Sequence, residues 1–174
     1  MKDTLKYLLR KTLSEKKDMS KAIEIQAPNE LQKKDGYKTI FLAGSIEGNG
    51  AEEWQKKIVK ELSDKPYIFF NPRRDDWDSS WTQEITNPQF RGQVEWELNA
   101  LDKADHIIMY FDPKTESPIS LLELGLHAKD NKLIVLCPEG FWKKGNVDVV
   151  CAKYNIKQVD SLDDLIDFLL TGKF

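Results

Sequence analysis

The most informative part of the sequence is His106-Ile-Ile-Met-Tyr-Phe-Asp-Pro-Lys-Thr-Glu-Ser-Pro-Ile-Ser-Leu-Leu-Glu-Leu-Gly-Leu-His-Ala-Lys-Asp-Asn-Lys-Leu-Ile-Val-Leu-Cys137. It begins and ends with continuous apolar runs, 106–111 and 133–137, which are typical of strands buried on both faces. Between them, Ser117-Pro118 indicates a helix start, because proline suits the first helical position and serine the cap before it. Strand, helix and strand in this order predict a βαβ unit with parallel strands.

The same alternation extends through most of the chain. Further apolar runs lie at 39–43 and 67–70, with a weaker one at 157–159. Apolar residues have helical spacing over 51–62 and 94–101, and Ser161 followed by Asp164 begins a last helix through Leu170. The segment 118–128 is apolar on most sides, which predicts a helix buried on both faces. We therefore expect a three-layer α/β sandwich with a five-stranded, mainly parallel sheet.

The domain is expected to span residues 23–174, preceded by an N-terminal extension of residues 1–22. The extension is rich in lysine and leucine, and its leucines at 5, 8, 9 and 13 have roughly helical spacing. Residues 23–26 are a candidate edge strand, followed by a polar linker with proline and glycine over 27–36.

Composition narrows the classes of function. A chain of 174 residues, 40% hydrophobic and 32% charged, is long enough for one well-buried core. Its net charge is −3 and its basic residues are scattered among acids, which disfavours a nucleic-acid partner. The sequence has neither a membrane span nor a signal-peptide segment. We expect a cytoplasmic protein that binds a small molecule.

Metal and redox chemistry find little support in the sequence. Two cysteines, Cys137 and Cys151, and two histidines do not form a usual zinc ligand set. Cys137 lies in an apolar run and is expected to be a core thiol. We predict no metal and no cofactor.

Ligands of such sheets bind beyond the carboxyl ends of the strands, where the strand order reverses. The turn after the first of the regular runs begins with Gly44 and Ser45, which can offer backbone N–H groups and a hydroxyl to an oxygen-rich ligand. It matches neither the phosphate-loop nor the dinucleotide fingerprint. A tight strand-to-helix connection that needs glycine explains it equally well.

A long loop over 71–81 follows the next run. It contains Asn71, Asp76 and Trp77, and a second tryptophan ends it. Its aromatic faces could stack on a planar base while charged groups bond the base edges. A loop that only packs its tryptophans on the surface is the equally weighted alternative.

Two acids stand out on the predicted helices. Glu97 lies beside the apolar stripe of Val94, Leu98 and Leu101, where a boundary carboxylate that reaches water is the common case. Glu123 lies in an apolar run, and a capping box with Ser120 would explain it. A helix that begins at Ser117-Pro118 leaves Glu123 in its second turn with no capping role. Two carboxylates near a ligand site are the catalytic groups that enzymes commonly use to cleave a glycosidic bond.

Several motifs occur together and in order along the chain: Phe41-Leu-Ala-Gly-Ser-Ile46, Asn71-Pro-Arg-Arg-Asp-Asp-Trp-Asp-Ser-Ser-Trp81, Gln93-Val-Glu-Trp-Glu-Leu98, Ala104-Asp105, Ser117-Pro-Ile-Ser-Leu-Leu-Glu-Leu-Gly125 and Gly145-Asn-Val147. With them the chain resembles the nucleoside 2-deoxyribosyltransferase-like family from about residue 23 to the C-terminus. The resemblance implies a flavodoxin-like (Rossmann-like) fold and transfer of 2-deoxyribose between bases, or hydrolysis of the N-glycosidic bond. By this resemblance Glu123 matches the nucleophile that attacks C1′. Glu97 matches an Asp that holds the sugar hydroxyls or assists base departure, and Asn146 matches a residue lent to a neighbouring subunit.

The sequence departs from the family pattern at three places. Transferases of the family carry a first-strand Tyr that orients the nucleophile, and Phe41 stands at the matching position. Their Asp just before the catalytic helix aligns near Glu116 or Ser117. In the related nucleotide hydrolases an Arg for the 5′-phosphate follows the glycine-serine-isoleucine turn, and Glu47 stands there in this chain.

We therefore predict a homo-oligomeric enzyme that acts on the N-glycosidic bond of a nucleoside or nucleotide. Glu123 and Glu97 are the predicted catalytic residues. The predicted substrate-binding residues are Gly44, Ser45, Asn71, Asp76, Trp77, Ser117 and Asn146. The alternatives are a hydrolase of a nucleotide or an ADP-ribose-type N-glycoside, and a sensor that binds a nucleotide without catalysis.

Overall fold

The computed structural model describes residues 21–45, 53–74 and 76–172. Within them, strands and helices alternate along the chain. The strands are β1 (Ile23–Gln26), β2 (Lys38–Gly44), β3 (Tyr67–Asn71), β4 (His106–Tyr110), β5 (Leu133–Leu136) and β6 (Lys157–Val159). The helices are α1 (Trp54–Glu61), α2 (Pro88–Lys103), α3 (Pro118–His127), α4 (Lys144–Tyr154) and α5 (Leu162–Thr171). The predicted extension, residues 1–22, lies outside the described residues except for its last two.

The described strands form one sheet in the order β1-β3-β2-β4-β5-β6, and every neighbouring pair is parallel. The sheet is therefore six-stranded and wholly parallel rather than five-stranded and mainly parallel. The additional strand is β1, the candidate edge strand, which pairs with β3 at the outer edge. Without β1, the order is that of the flavodoxin-like fold, whose strand order reverses between β2 and β4.

Helices cover both faces of the sheet, as the alternating pattern predicts. The core on one face includes Trp54 and Ile58 of α1 with Leu165 of α5. The core on the other face contains Trp96 of α2 and Leu124 of α3. α2 and α3 both pack against β2, so the chain places two acid-bearing helices side by side over the central strand.

The predicted helices differ from the observed ones in their bounds, their burial and their number. α2 begins six residues before 94, because Asn87 caps the backbone N–H groups of Gln89 and Phe90. Its Leu98, assigned to the apolar stripe, is 43% exposed. The sequence predicts no helix over 144–154, where α4 buries only Val147 and Cys151.

α3 is buried on one face and not on both. Its inward face carries Ser120, Glu123, Leu124 and His127. Its outer face carries three apolar side chains that are more than half exposed: Ile119, Leu122 and Leu126. Among the described residues, every helix is too short or too polar to cross a lipid bilayer.

Candidate active site

Ligands of this fold class bind in a crevice at the carboxyl ends of the strands, here those of β2 and β4. Direct hydrogen bonds join these two strand ends. The Ser45 N–H donates to the Tyr110 carbonyl at 2.9 Å, and the Asp112 N–H donates to Ser45 Oγ at 2.8 Å. Trp54 Nε1 donates to the Ser45 carbonyl at 3.1 Å, which ties α1 to the same point. Ser45 is thus held in place where ligands of this fold class bind.

Gly44 allows the two strands to approach this closely. Its φ is +131°, and a Cβ placed on it would lie within 3.0 Å of backbone atoms of Tyr110. Glycine is required here by both the backbone conformation and the space. The predicted binding residue therefore shapes the crevice through its backbone. The following turn residues, 46–52, including Glu47, lie outside the described residues.

Three buried hydroxyls form a triangle at the mouth of the crevice. Ser45 Oγ lies 2.7 Å from Thr115 Oγ1 and 2.6 Å from Ser117 Oγ, and the last two oxygens are 2.7 Å apart. Thr115 Oγ1 also reaches the Asp112 carbonyl at 3.0 Å, and Ser45 Oγ reaches the Tyr110 carbonyl at 3.4 Å. Three hydroxyl protons can satisfy only three of these five contacts at one time. The triangle can therefore redirect its protons towards an oxygen-rich ligand.

α3 begins at Pro118, as Ser117-Pro118 predicts, but Ser117 does not cap it. Ser117 has a left-handed backbone, φ 46° and ψ 50°, and its side chain makes no capping bond. Its hydroxyl joins the triangle instead. Because the helix starts there, Ser120 lies inside it and the capping box with Glu123 does not form. Glu123 points inward and is 7% exposed.

Glu97 and Glu123 come together from α2 and α3. Burial is the main cause that raises the pKa of Glu123 to about 8, and the negative charge of the neighbouring Glu97 contributes to the same rise. Burial also raises the pKa of Glu97, while the hydrogen bond from Gln93 opposes that shift. The pair matches the chemistry expected of two carboxylates in a site that handles a glycosidic bond.

The loop after β3 contributes side chains of two kinds. Asn71 is buried, and its amide is used within the chain: Nδ2 donates to Glu24 and Oδ1 accepts from the Arg73 N–H. Asp76 is exposed and accepts two bonds from Arg74, both of 2.6 Å. Trp77 is 44% exposed and contacts Trp81 edge to face, with ring centroids 5.1 Å apart. Asp76 and Trp77 are open to a ligand, and Asn71 shapes the loop.

Comparison with known proteins agrees with this architecture. Residues 37–141 match the sequence model of the family described as nucleoside 2-deoxyribosyltransferase like. The chain belongs to this family. A crystal structure of a conserved protein from Enterococcus faecalis V583 has a similar fold, with a TM-score of 0.55 and 13% identity over 75% of this chain and 95% of that one. A comparison with curated proteins gives no match.

Within this deoxyribosyltransferase-like fold, Phe41 is fully buried in β2. Its ring belongs to the core on the face that α2 and α3 cover. A phenylalanine there adds apolar surface and offers no hydrogen-bond donor. Among the described residues, no side chain donates a hydrogen bond to Glu123. This absence is consistent with the raised pKa of Glu123.

Asn146 lies apart from the crevice, on the surface of its own chain. It is exposed in the first turn of α4 and lines a groove of about 320 Å³ between α3 and α4. The groove is otherwise largely apolar, with Leu121, Val147 and Val150 among its lining residues.

Sequence reasoning missed three residues that the structure brings into the site. Thr115 completes the hydroxyl triangle, and Gln93 and Arg74 connect the loop after β3 to Glu97. Two signals were present in the sequence. Thr115 lies in the loop that leaves β4, and Gln93 precedes Glu97 by four residues, which places both on one helix face.

Proposed function

We propose that this protein cleaves the N-glycosidic bond of 2-deoxyribonucleoside-like substrates and passes the sugar to water or to a second base. The observation that carries the proposal is the buried Glu123, which faces Glu97 beside the crevice in a chain of this family. Neither acid is needed for capping or for a salt bridge among the described residues. Two neighbouring carboxyls, one buried and one half-buried, that serve no cap or ion pair are typical of a reactive site.

In the proposed reaction, a Glu123 carboxylate oxygen attacks C1′ of the sugar. The C1′–N bond breaks, its electron pair passes to the base nitrogen, and a deoxyribosyl ester of Glu123 forms. The departing base takes up a proton from solvent. Water or a second base then attacks C1′, loses a proton to solvent and releases Glu123 as a carboxylate. Glu97 would hold the sugar hydroxyls, and Asp76 and Trp77 would contact the base.

Substitution at Glu123 tests the proposal. A panel of deoxynucleosides, with and without a second free base, is followed by chromatography. Glu123→Gln keeps the size of the side chain but removes the nucleophile, so base release should fall by on the order of 10³-fold or more. Glu95→Gln is the matched control, because Glu95 is exposed on α2 and pairs only with Arg91 among its described contacts.

Mass spectrometry adds a direct readout of the covalent step. A brief incubation with a good substrate should add the mass of one deoxyribosyl group to the wild-type chain and none to Glu123→Gln. Base release that persists in Glu123→Gln would refute the assignment. Binding without base release across the whole panel would favour a nucleotide sensor instead.

A phosphorylated substrate is the second candidate, and Arg73 favours it. Its Nη1 is buried with no hydrogen-bond partner among the described residues, while its Nη2 lies 3.6 Å from Glu53. Arg73 follows β3 at the same sheet edge as the hydroxyl triangle. Guanidinium and hydroxyl groups both suit a phosphate. A higher kcat/KM for 5′-monophosphates than for nucleosides, lost in Arg73→Met, would support this candidate.

We also propose that the active form is a homo-oligomer of this chain. The outer face of α3 exposes Ile119, Leu122 and Leu126, and Trp142 beside it is 56% exposed. A contiguous apolar surface of this kind is typical of a protein interface. We propose a second copy of this chain as the occupant of the face, because the family resemblance implies that Asn146 is lent to a neighbouring subunit.

A further inference from the structure

Gln93 is a buried glutamine whose amide is fully occupied. It is 4% exposed. Its Nε2 donates to the Pro72 carbonyl at 3.0 Å and to Glu97 Oε1 at 2.9 Å, and its Oε1 accepts from Arg74 Nη1 at 3.4 Å. The amide therefore touches α2 itself and two residues of the loop after β3.

These neighbours fix which way the amide points. The Pro72 carbonyl and the Glu97 carboxylate are acceptors, whereas the Arg74 guanidinium can only donate. Turning the amide over would set Oε1 against two acceptors and the NH₂ group against a donor. All three contacts are satisfied only in the observed orientation. Arg74 thus holds Gln93 so that an N–H is presented to Glu97.

The hydrogen bond from Gln93 occupies only one oxygen of the Glu97 carboxylate, Oε1. No other described residue donates a hydrogen bond to this carboxylate. Oε2 is therefore available to accept from a hydroxyl. Burial raises the pKa of Glu97, and the hydrogen bond from Gln93 limits that rise because it stabilises the ionised carboxylate.

Arg74 extends the contacts of Gln93 to the exposed loop after β3. Arg74 makes two bonds of 2.6 Å to Asp76, and its guanidinium lies 5.3 Å from the Trp81 ring centroid. Arg74 is itself mostly buried, with a side chain 12% exposed. Asp76, Arg74, Gln93 and Glu97 therefore form a continuous series of polar contacts from the loop to the acid pair.

We propose that Gln93 is a positioning residue that orients Glu97 and links it to the loop that carries Asp76 and Trp77. The inference rests on the proposed function, because it assigns the loop to the base and Glu97 to the sugar. A base bound against the loop would hold Arg74 and, through Gln93, the sugar-binding carboxylate. Arg74 and Gln93 act through Glu97 and are not themselves placed on the reacting atoms.

The test compares Gln93→Met with the matched control Gln158→Met. Methionine has a similar length but cannot donate to Glu97. Gln158 makes the same kind of amide-to-carboxylate bond, to Asp148 at 2.8 Å, on β6. The first readout is ¹³C NMR titration of the glutamate side-chain carboxyls, with Glu97 assigned through Glu97→Gln. This readout needs no substrate and no catalysis.

The pKa of Glu97 should rise by about one pH unit in Gln93→Met, since a hydrogen bond to a charged group is lost. Glu123 on α3 is the titratable neighbour that shares this environment, so its carboxyl is followed in the same spectra. Gln158→Met should leave both titrations in place. An unchanged Glu97 pKa in a folded Gln93→Met protein overturns the proposal.

A second variant keeps the test open if Gln93→Met fails to fold. Arg74→Lys leaves Gln93 intact but loses the planar guanidinium contact, so the Glu97 titration should move in the same direction by a smaller amount. On an active substrate, Gln93→Met should lower kcat more than it raises KM, because the acid is misplaced while the loop still binds. Arg74→Lys also loosens Asp76, so it is judged by the titration alone. An effect on KM alone would also contradict the proposal. If the wild-type chain cleaves no substrate, the proposed function fails while the NMR titration still decides the role of Gln93.

Discussion

Phe41 carries no hydroxyl that could donate a hydrogen bond, and its ring lies in the core on the sheet face that α3 covers. We expect Phe41→Tyr to place a donor on the sheet face that carries α3, where it would stabilise the Glu123 carboxylate. With Glu123 as nucleophile, activity should rise with pH through the pKa of about 8. The substitution should move that midpoint to lower pH. The kcat/KM profile from pH 5 to 10 measures it.

Phe69→Tyr is the control for that substitution. Phe69 is equally buried, but it lies on the opposite face of the sheet. It should leave the midpoint near that of the wild-type chain. A Phe41→Tyr profile that coincides with the wild-type profile would show that the missing hydroxyl does not control Glu123.

The buried Glu123 also gives a prediction about stability. Its pKa is about 8 in the folded chain, against 4.5 for an ordinary glutamate. Between these two values the unfolded chain has lost the proton and the folded chain keeps it. The free energy of unfolding should therefore fall as pH rises from about 4.5 to about 8, by on the order of a few kcal/mol.

Glu123→Gln should remove most of this slope, because glutamine does not titrate. Urea unfolding at pH 5, 6, 7 and 8 measures the effect. The variant should be as stable as the wild-type chain at pH 5 and more stable at pH 8. Equal slopes in the two proteins would mean that Glu123 does not keep its proton in the folded chain.

The loop between β4 and α3 supplies two of the three hydroxyls of the triangle, those of Thr115 and Ser117. Thr115 bonds both serines of the triangle and the carbonyl of Asp112, which fixes the left-handed residue before Pro118. Thr115→Val keeps the shape of the side chain and removes the hydroxyl. The free energy of unfolding should fall by about 1–2 kcal/mol, because buried polar partners lose a bond. Urea unfolding measures it.

Thr86→Val is the control for Thr115→Val. Thr86 makes its side-chain bond at the surface, to Glu84. Its unfolding free energy should change by less than about 0.5 kcal/mol. A Thr115→Val protein as stable as this control would show that the triangle contributes nothing to the local structure.

The elements that the sequence predicts are those whose apolar pattern is strong. Continuous runs gave β2 to β5, and Ser161 caps α5 by accepting from the Asp164 N–H. α4 has little helical periodicity, since it buries only Val147 and Cys151 and exposes Val149. For α3, the apolar pattern predicts more burial than the structure has. Its outer leucines, Leu122 and Leu126, have the pattern of core residues but are more than half exposed.

At the scale of the whole molecule, topology predicts which residues gather but not how they bond. Parallel strands bring Ser45 and Ser117 to one sheet edge, so their neighbourhood follows from strand order. Glu97 and Glu123 come together because α2 and α3 lie on the same face over β2. The Gln93 amide contacts join a helix to a long irregular loop, and no sequence period encodes such a contact.

The exposed face of α3 gives the last prediction. If a neighbouring copy lends Asn146, then Glu123→Gln and Asn146→Ala are defects in the two halves of one shared site. Each variant alone should lack base release. In a mixed isologous dimer, the intact Glu123 of one chain meets the intact Asn146 of the other, which restores one site in two. Random mixing should therefore recover about a quarter of wild-type activity.

Subunit exchange followed by the base-release assay measures this recovery, and light scattering after size exclusion gives the oligomeric state. Leu122→Lys, in the exposed apolar face, should yield monomers without activity, because burying an unpaired charge disfavours the interface. Ile85→Lys is the control, since Ile85 is 77% exposed in the loop before α2 and away from α3. Mixed oligomers that form but recover no activity would place Asn146 outside the shared site. An active Leu122→Lys monomer would show that one chain completes the site alone.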